Sequence, residues 1–366
     1  MKVLLVVDHL GPGGSQRQIV NLAVGLASSN HKVTIFTYYD DNHYRIFIDR
    51  HNIDLVTGTK RSKFDMGVIF GLRRLLRAGS FDIHCSFLFT PNTYLLLASS
   101  FGYLHKTIVS ERTFELGVPK WYKYLIRRIF YRKVRAVVVN SEHQLRILES
   151  EHPSQHGKFR AIPNGVMLDD FKNRNSEPQD GELRILGVGK VSHLKNPRVV
   201  IEALDILWKK HHLKAKVKWL GQLYDQAENQ NEYYHQCKAL LGQYELEDQW
   251  QWEGEVLDVA RYYEDTDILI HASFGEGFPN AICEALAAGT PVAASRVYDH
   301  PNIVTEHTNG YLFDPDDPLE LAEKLYTFCS LALSERQQMS RRSRAFAEER
   351  FSNEVMVAKF LELFTS

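Results

Sequence analysis

Short β-branched runs alternate with amphipathic stretches of helical length along almost the whole chain, and this alternation restricts the fold more than any other property. Strands are predicted at 2–7, 32–38, 82–88, 106–110 and 135–140, then at 184–189, 215–220, 267–272 and 291–295. Helical patterns of roughly 10–15 residues between strands imply βαβ units and parallel sheets. The alternation breaks once, at KNRNSEPQDGE (Lys172 to Glu182), which is polar, contains Pro and Gly and has no apolar period. That stretch reads as a linker. The expectation is an α/β chain of two similar halves, 1–171 and 183–348, joined by 172–182 and followed by a helix at 349–366 that either stays with the second half or crosses back to the first. Ligands of such sheets bind at the carboxyl ends of the strands, here in a cleft between the halves.

A length of 366 residues suits two domains better than one core. With 44% hydrophobic and 24% charged residues the composition is that of a soluble globular protein. A formal net charge of -1 gives no footprint for a polyanion, so no nucleic-acid partner is expected. Cys85, Cys237, Cys283 and Cys329 stand far apart with no CxxC spacing, which indicates neither a zinc site nor a disulfide framework and fits a reducing cytoplasm. The start, MKVLLVVD, reaches an acid too soon for a signal peptide, and no apolar run approaches the ~20 residues of a spanning helix.

GEGFPNAICEALAAGTP (Gly275 to Pro291) concentrates the chemistry. Pro279 fits the first position of a helix of about ten residues, Gly289 its end, and Pro291 stops it from resuming. Apolar residues surround Glu284 on every side, so its carboxylate needs donors, supplied by an internal cation or by the hydroxyls of a ligand. The helix start directs unsatisfied N–H groups outward near Phe278 and Asn280, and Gly277 leaves room for a ligand.

Two further loops carry the same signature. Gly11-Pro12-Gly13-Gly14 precedes a helix with Ser15 as its expected cap, either a tight turn or an anion loop. A dinucleotide fingerprint fails there, because Gln16 stands in place of the third Gly. Arg17, a cation in a first helical turn, opposes the helix dipole and hints at an external anion. In GVGKVSHLKNPRVV (Gly187 to Val200) a strand is expected to end at Lys190 and a helix to begin with Asn196 as cap and Pro197 at its first position. Lys190 at that strand end and Lys195 just before the cap are either ordinary surface lysines or a grip on phosphate. Three such loops at strand ends suggest a diphosphate.

These stretches, with NGYLFDPDDPLELAEKL, VVVNSEHQLRIL and AIPNGVMLDDF, resemble the retaining GT-B glycosyltransferases of family four over most of the chain. The resemblance implies two Rossmann-like domains facing each other across a cleft, and transfer of a hexose or N-acetylhexosamine from a nucleotide-diphosphate sugar, commonly UDP-linked, to a glycan or lipid-linked acceptor of bacterial surface polysaccharide. It implies no cofactor and no metal. Glu284 would hold the donor ribose, Glu276 the transferred sugar, and Gly277, Phe278, Pro279 and Asn280 the sugar and phosphate through backbone N–H groups. Lys190 and Lys195 would hold the diphosphate, Gly13 and Gly14 would face the reacting phosphate, and Gly254, Glu255 and Val256 would border the base.

The chain departs from the family pattern at three places. Lys190 replaces the usual Arg, a point charge in place of a fork. Asn196 replaces a Gly, and IVSERTFELG replaces a segment that carries a His in many members. Glu111 and Arg112 occupy that neighbourhood, either touching sugar or acceptor or forming an ion pair, with His9 and His84 as spare candidates at strand ends. The missing His keeps open a catalytically silent nucleotide-sugar-binding subunit. The glutamate pair keeps open a hydrolase, whose retaining form needs carboxyl groups about 5–5.5 Å apart. Asp265-Thr266-Asp267 is expected to be a turn before a strand and no metal site. KWYKYLIRRIFYRKVRA (Lys120 to Ala136) carries seven basic residues interleaved with aromatic and aliphatic ones and no acid. It is either a helix lying on the anionic inner face of a bacterial membrane or one packing its apolar stripe on the sheet.

Overall fold

The computed structural model describes residues 1–112, 121–172, 182–223, 231–256 and 258–366. The chain divides into two compact units: unit 1 is Met1–Gly165 with Phe351–Ser366, and unit 2 is Val166–Arg350. Residues 173–181 of the expected linker, and Lys120, lie outside the described residues.

Unit 1 runs β1 (Lys2–Val6), α1 (Gly14–Ser28), β2 (Lys32–Thr37), α2 (Arg45–Arg50), β3 (Asp54–Thr57), α3 (Met66–Gly79), β4 (Ile83–Phe87), α4 (Phe89–Ser99), β5 (Thr107–Glu111), α5 (Trp121–Phe130), β6 (Ala136–Val139), α6 (Glu142–Glu151) and β7 (Phe159–Ala161). Unit 2 follows with β8 (Glu182–Val188), α7 (Pro197–His211), β9 (Lys214–Leu220), α8 (Asn231–Gln243), β10 (Trp250–Gly254), α9 (Ala260–Glu264), β11 (Ile268–His271), α10 (Asn280–Ala287), β12 (Val292–Ser295), α11 (His300–Ile303), β13 (Gly310–Phe313), α12 (Pro318–Ser330) and α13 (Leu333–Phe351). The last helix, α14 (Asn353–Thr365), belongs to unit 1.

Both sheets are parallel, and six strands follow the same order in each, with a seventh added at one edge of the first. Their orders are β3-β2-β1-β4-β5-β6-β7 and β10-β9-β8-β11-β12-β13. The order reverses between β1 and β4 in unit 1 and between β8 and β11 in unit 2, and loops leaving the carboxyl ends of strands at such a point line a ligand crevice. Central strands read as unbroken apolar runs because helices cover both faces. Val3, Leu4, Leu5 and Val6 in β1 and Ile268, Leu269 and Ile270 in β11 are all buried. The nine predicted strands are present, and β3, β7, β10 and β13 join them as the edge strands of the two sheets.

The final helix docks on α1. Asn353 Nδ2 donates to the Asn21 carbonyl at 3.1 Å, and a Cβ on Gly25 would lie 2.4 Å from Val357 Cγ2. Phe360 is fully buried, its ring 6.1 Å from that of Phe87 at the end of β4.

His84 is not at a ligand-facing strand end. It is the second residue of β4, paired in register with Leu4 and Thr107. Neither ring nitrogen has a hydrogen-bond partner among the described residues. Burial first, then the nearby charge of Lys106, pushes its pKa down to about 3. The folded state therefore refuses a proton that the unfolded chain accepts near pH 6.5. The resulting stability is fully present above that pH and is lost as pH falls toward 3, at about 1.4 kcal/mol per pH unit. Urea unfolding between pH 7 and 5 should show this slope flattened by about that amount in His84→Leu. Equal slopes would refute the assignment.

Candidate active site

The switch point of unit 2 gathers most of the predicted residues. β8 ends at Val188, earlier than the sequence suggests, because Gly189 (φ +152°) turns the chain out of the sheet. Its N–H donates to the Leu220 carbonyl at 2.8 Å, and its carbonyl accepts from Trp219 Nε1 at 2.8 Å. Gly221, at φ +132°, lies so close that a Cβ would stand 2.4 Å from Gly189 O and 3.0 Å from Lys190 N. Only glycine permits that approach, so the Lys190 loop rests directly on the end of β9. Asn196 caps α7 as expected: its Oδ1 accepts from Val199 N–H at 3.4 Å, its Nδ2 donates to Pro315 O at 2.8 Å, and Pro197 starts the helix. Asn196 has φ +52°, a left-handed conformation that Gly and Asn both tolerate, which explains how it stands in for a Gly.

The loop between β11 and α10 is joined to this one by a hydrogen bond from Phe274 N–H to Leu194 O at 2.9 Å. Pro279 is the N-cap of α10 and not its first residue, so the helix is 8 residues long. Asn280 N–H closes a turn onto Phe278 O at 3.0 Å. Gly289, at φ +72°, lies just past the helix end as predicted.

Glu276 is the most heavily engaged acid of the site. Its Oε1 accepts from Lys195 Nζ, from His271 Nε2 at 3.0 Å and from Ser273 Oγ at 2.9 Å. No hydrogen bond reaches Oε2 among the described residues. Burial opposes ionisation, but the hydrogen bond from His271 and the charge of Lys195 outweigh it and hold the carboxyl well below the usual carboxylate range. Lys195 therefore pairs with Glu276, and its ammonium keeps further N–H donors. Lys190 is half-buried in the same loop.

Glu284 follows on the second turn of α10, partly buried among Ala281, Ile282, Cys283, Ala285, Leu286 and Ala287. The Tyr263 hydroxyl lies 3.2 Å from its Oε2 and 3.3 Å from the Ala281 carbonyl. Gly254, Glu255 and Val256 stand at the carboxyl end of β10, with Gly254 at φ +71° and Glu255 exposed. Asp267 is a structural residue: both of its oxygens accept from the Arg184 side chain, at 3.1 and 3.2 Å, at the opposite ends of the strands.

In unit 1 the helix after the glycine loop starts at Gly14 with Gly13 as N-cap, so Ser15 lies inside the first turn. Gln16 explains the broken fingerprint. It folds back into the space that a Gly13 side chain would need, and its Nε2 donates to Asp8 Oδ1 at 2.9 Å. His9 belongs to this loop, its Nδ1 accepting from Gly11 N–H at 2.9 Å.

Glu111 and Arg112 point to different partners. Glu111 is buried and accepts from Arg127 Nε and Nη2, both at 3.1 Å, and from the Tyr131 hydroxyl, so it is an ion-pair residue of unit 1. Arg112 is also buried, with Nε on Ser110 Oγ at 2.8 Å, Nη1 on Asn164 Oδ1 and the guanidinium 4.2 Å from the Phe87 ring centre. Its Nη2 has no partner among the described residues, and burial lowers its pKa to about 9. α5 turns Arg127 inward but exposes Trp121 (76%), Tyr122, Tyr124, Leu125 and Ile129 beside Arg128.

Sequence reasoning missed His271, Ser273 and Tyr263. A lone His ending an apolar strand reads as core, and only the three-dimensional contact with Glu276 distinguishes it.

Two family models divide the chain between them: Glycosyltransferase Family 4 matches residues 12–170, and Glycosyl transferases group 1 matches 169–346. A Campylobacter jejuni GalNAc-alpha-(1->4)-GalNAc-alpha-(1->3)-diNAcBac-PP-undecaprenol alpha-1,4-N-acetyl-D-galactosaminyltransferase is 26% identical over 89% of this chain and 88% of its own. The spore coat protein SA of Bacillus subtilis is 22% identical over 100% and 99%. Among solved structures, a glycosyltransferase from Rickettsia africae superposes with a TM-score of 0.85 at 21% identity, covering 100% of this chain and 97% of that one. Anabaena HepE, solved with UDP and glucose, gives 0.79 at 17% identity and covers 100% of both. The doubled sheet with its glutamate and lysine loops is thus that of a glycosyltransferase of GT-B architecture. Within that class the chain belongs to the family-four glycosyltransferases.

Proposed function

We propose that this protein transfers a hexose or N-acetylhexosamine, with retention at the anomeric carbon and without a metal ion, from a UDP-sugar to a glycan or lipid-linked acceptor in bacterial surface polysaccharide synthesis. Unit 2 takes the donor and unit 1 the acceptor. The observation that carries this reading is Glu276, ionised, with one carboxylate oxygen clamped by three donors and the other left for sugar hydroxyls. Glu284 takes the ribose hydroxyls, while Lys190, Lys195 and the amides at the start of α10 take the diphosphate.

In the reaction the bond from the anomeric carbon to the diphosphate oxygen breaks and its electron pair leaves with the diphosphate. The acceptor hydroxyl forms the new bond on the same face and gives its proton to a phosphate oxygen. Fixed donors stabilise the growing negative charge without reorganising. Each charge-assisted contact contributes about 1.5–3 kcal/mol, so both lysines and the helix end are needed. The relative from Campylobacter is named for a PP-undecaprenol substrate, which supports a phosphate-bearing acceptor.

The outward aromatic and cationic face of α5 supports attachment to an anionic membrane. No helix among the described residues is long and apolar enough to cross one. Binding to vesicles of anionic lipid, but not of neutral lipid, is expected at low salt and should weaken in Arg128→Glu; equal binding of both proteins would refute the role of this face.

A screen of nucleotide sugars by thermal shift, followed by turnover assays with and without EDTA, tests the main reading. Stabilisation by UDP-sugars and undiminished turnover in EDTA are expected, and turnover abolished by EDTA would overturn the metal-free mechanism. A silent nucleotide-sugar-binding subunit is the second reading, favoured by the sequestration of Glu111 where relatives often carry a His. It predicts the same thermal shifts with no turnover.

A further inference from the structure

We propose that His271 is a positioning residue for Glu276, turning one carboxylate oxygen inward so that the other is presented to the transferred sugar. The inference rests on the proposed donor site and assigns it a residue that lies behind Glu276. His271 ends β11, is buried, and directs Nε2 at Glu276 Oε1 from 3.0 Å. An ionised carboxylate only accepts, so Nε2 carries the hydrogen. Burial favours the neutral imidazole and outweighs the hydrogen bond and charge of Glu276, which favour the protonated form. The Nε2–H tautomer then leaves Nδ1 without a proton.

A second histidine braces the first. His300 is fully buried, its ring 5.1 Å from that of His271 and nearly perpendicular to it, and its Nδ1 donates to the Ser295 carbonyl at 2.8 Å. Ser295 Oγ in turn donates to Ser273 O at 2.6 Å, which fixes the strand end carrying the third donor to Glu276. All three donors converge on Oε1. Lys195 is the flexible one of the three, and it is also the one a diphosphate competes for. When Lys195 turns to phosphate, His271 and Ser273 keep Glu276 in place, so the carboxylate does not follow the lysine.

The test is steady-state kinetics of His271→Leu and His271→Gln with a nucleotide-sugar donor, beside the affinity of each for the bare nucleoside diphosphate. Gln places an amide N–H where Nε2–H stands, whereas Leu fills the space without a donor. His271→Leu should lose 10- to 100-fold in kcat/KM while binding the bare nucleoside diphosphate within twofold of wild type, and His271→Gln should recover most of the loss. A merely structural histidine would weaken both ligands alike and would not be rescued by Gln. Unchanged kinetics in His271→Leu, equal losses in Leu and Gln variants of unchanged melting temperature, or a parallel loss of nucleoside diphosphate binding would overturn the proposal. A wild-type protein that neither binds nor uses nucleotide sugars would remove the underlying reading as well, and would do so before any variant is made.

Discussion

Glu284→Ala is expected to abolish the thermal stabilisation that nucleoside diphosphates give the wild-type protein. Glu284 stands in an otherwise apolar helix, where a ligand that brings hydroxyls forms charge-assisted bonds worth about 1.5–3 kcal/mol each. Ligand at 100 times its dissociation constant stabilises by about 2.7 kcal/mol, and a 100-fold loss of affinity leaves about 0.4 kcal/mol. Glu276→Ala should behave differently. Its gain with the bare nucleoside diphosphate should survive, while the extra gain from the sugar disappears and turnover falls by about 10²–10³, the usual effect of removing one preorganised contact to the transition state. Differential scanning fluorimetry of both variants with each ligand form measures this directly, and identical behaviour of both variants and wild type would contradict the assigned roles.

The second large effect concerns stability. Arg127→Met removes both guanidinium donors from a carboxylate that is 2% exposed, leaving Glu111 with the Tyr131 hydroxyl alone. Breaking a buried pair on one side costs about 3–5 kcal/mol, because the remaining charge stays buried. Unit 1 should unfold at markedly lower urea concentration, whereas the double variant Arg127→Met with Glu111→Leu should recover much of the loss. If the single variant retained wild-type stability, the carboxylate would have to be serving a ligand and not the arginine.

The parts of the fold legible in the sequence are those where local and tertiary forces agree. Interior strands such as β1 and β11 declare themselves because burial on both faces demands unbroken apolar runs. The four strands missed are the edges, where the demand relaxes: β3 is largely exposed, β7 has three residues, and β10 mixes Trp with Gln and Glu. β13 is buried but spans only four residues, the first of them Gly310. Helix caps were legible where the side chain itself makes the bond, as at Asn196, and were misplaced by one or two residues where backbone alone decides, as at Gly13 and Pro279. In the site, Lys195 and Glu276 were legible as residues but not as partners of one another, since nothing local couples positions so far apart. The same limit hid Arg127: a cation in a basic, aromatic helix reads as surface until its carboxylate partner on β5 is seen.

The return of the chain to unit 1 through α14 has a consequence for biosynthesis. The first sheet emerges from the ribosome early, but the helix that delivers Phe360 and Phe364 to its core appears only after all of Val166–Arg350 has been made. Unit 2 is therefore free to mature before its predecessor, reversing the usual amino-to-carboxyl order of cotranslational folding. During that interval the face of α1 at Gly25, which Val357 covers in the finished protein, stays open to solvent.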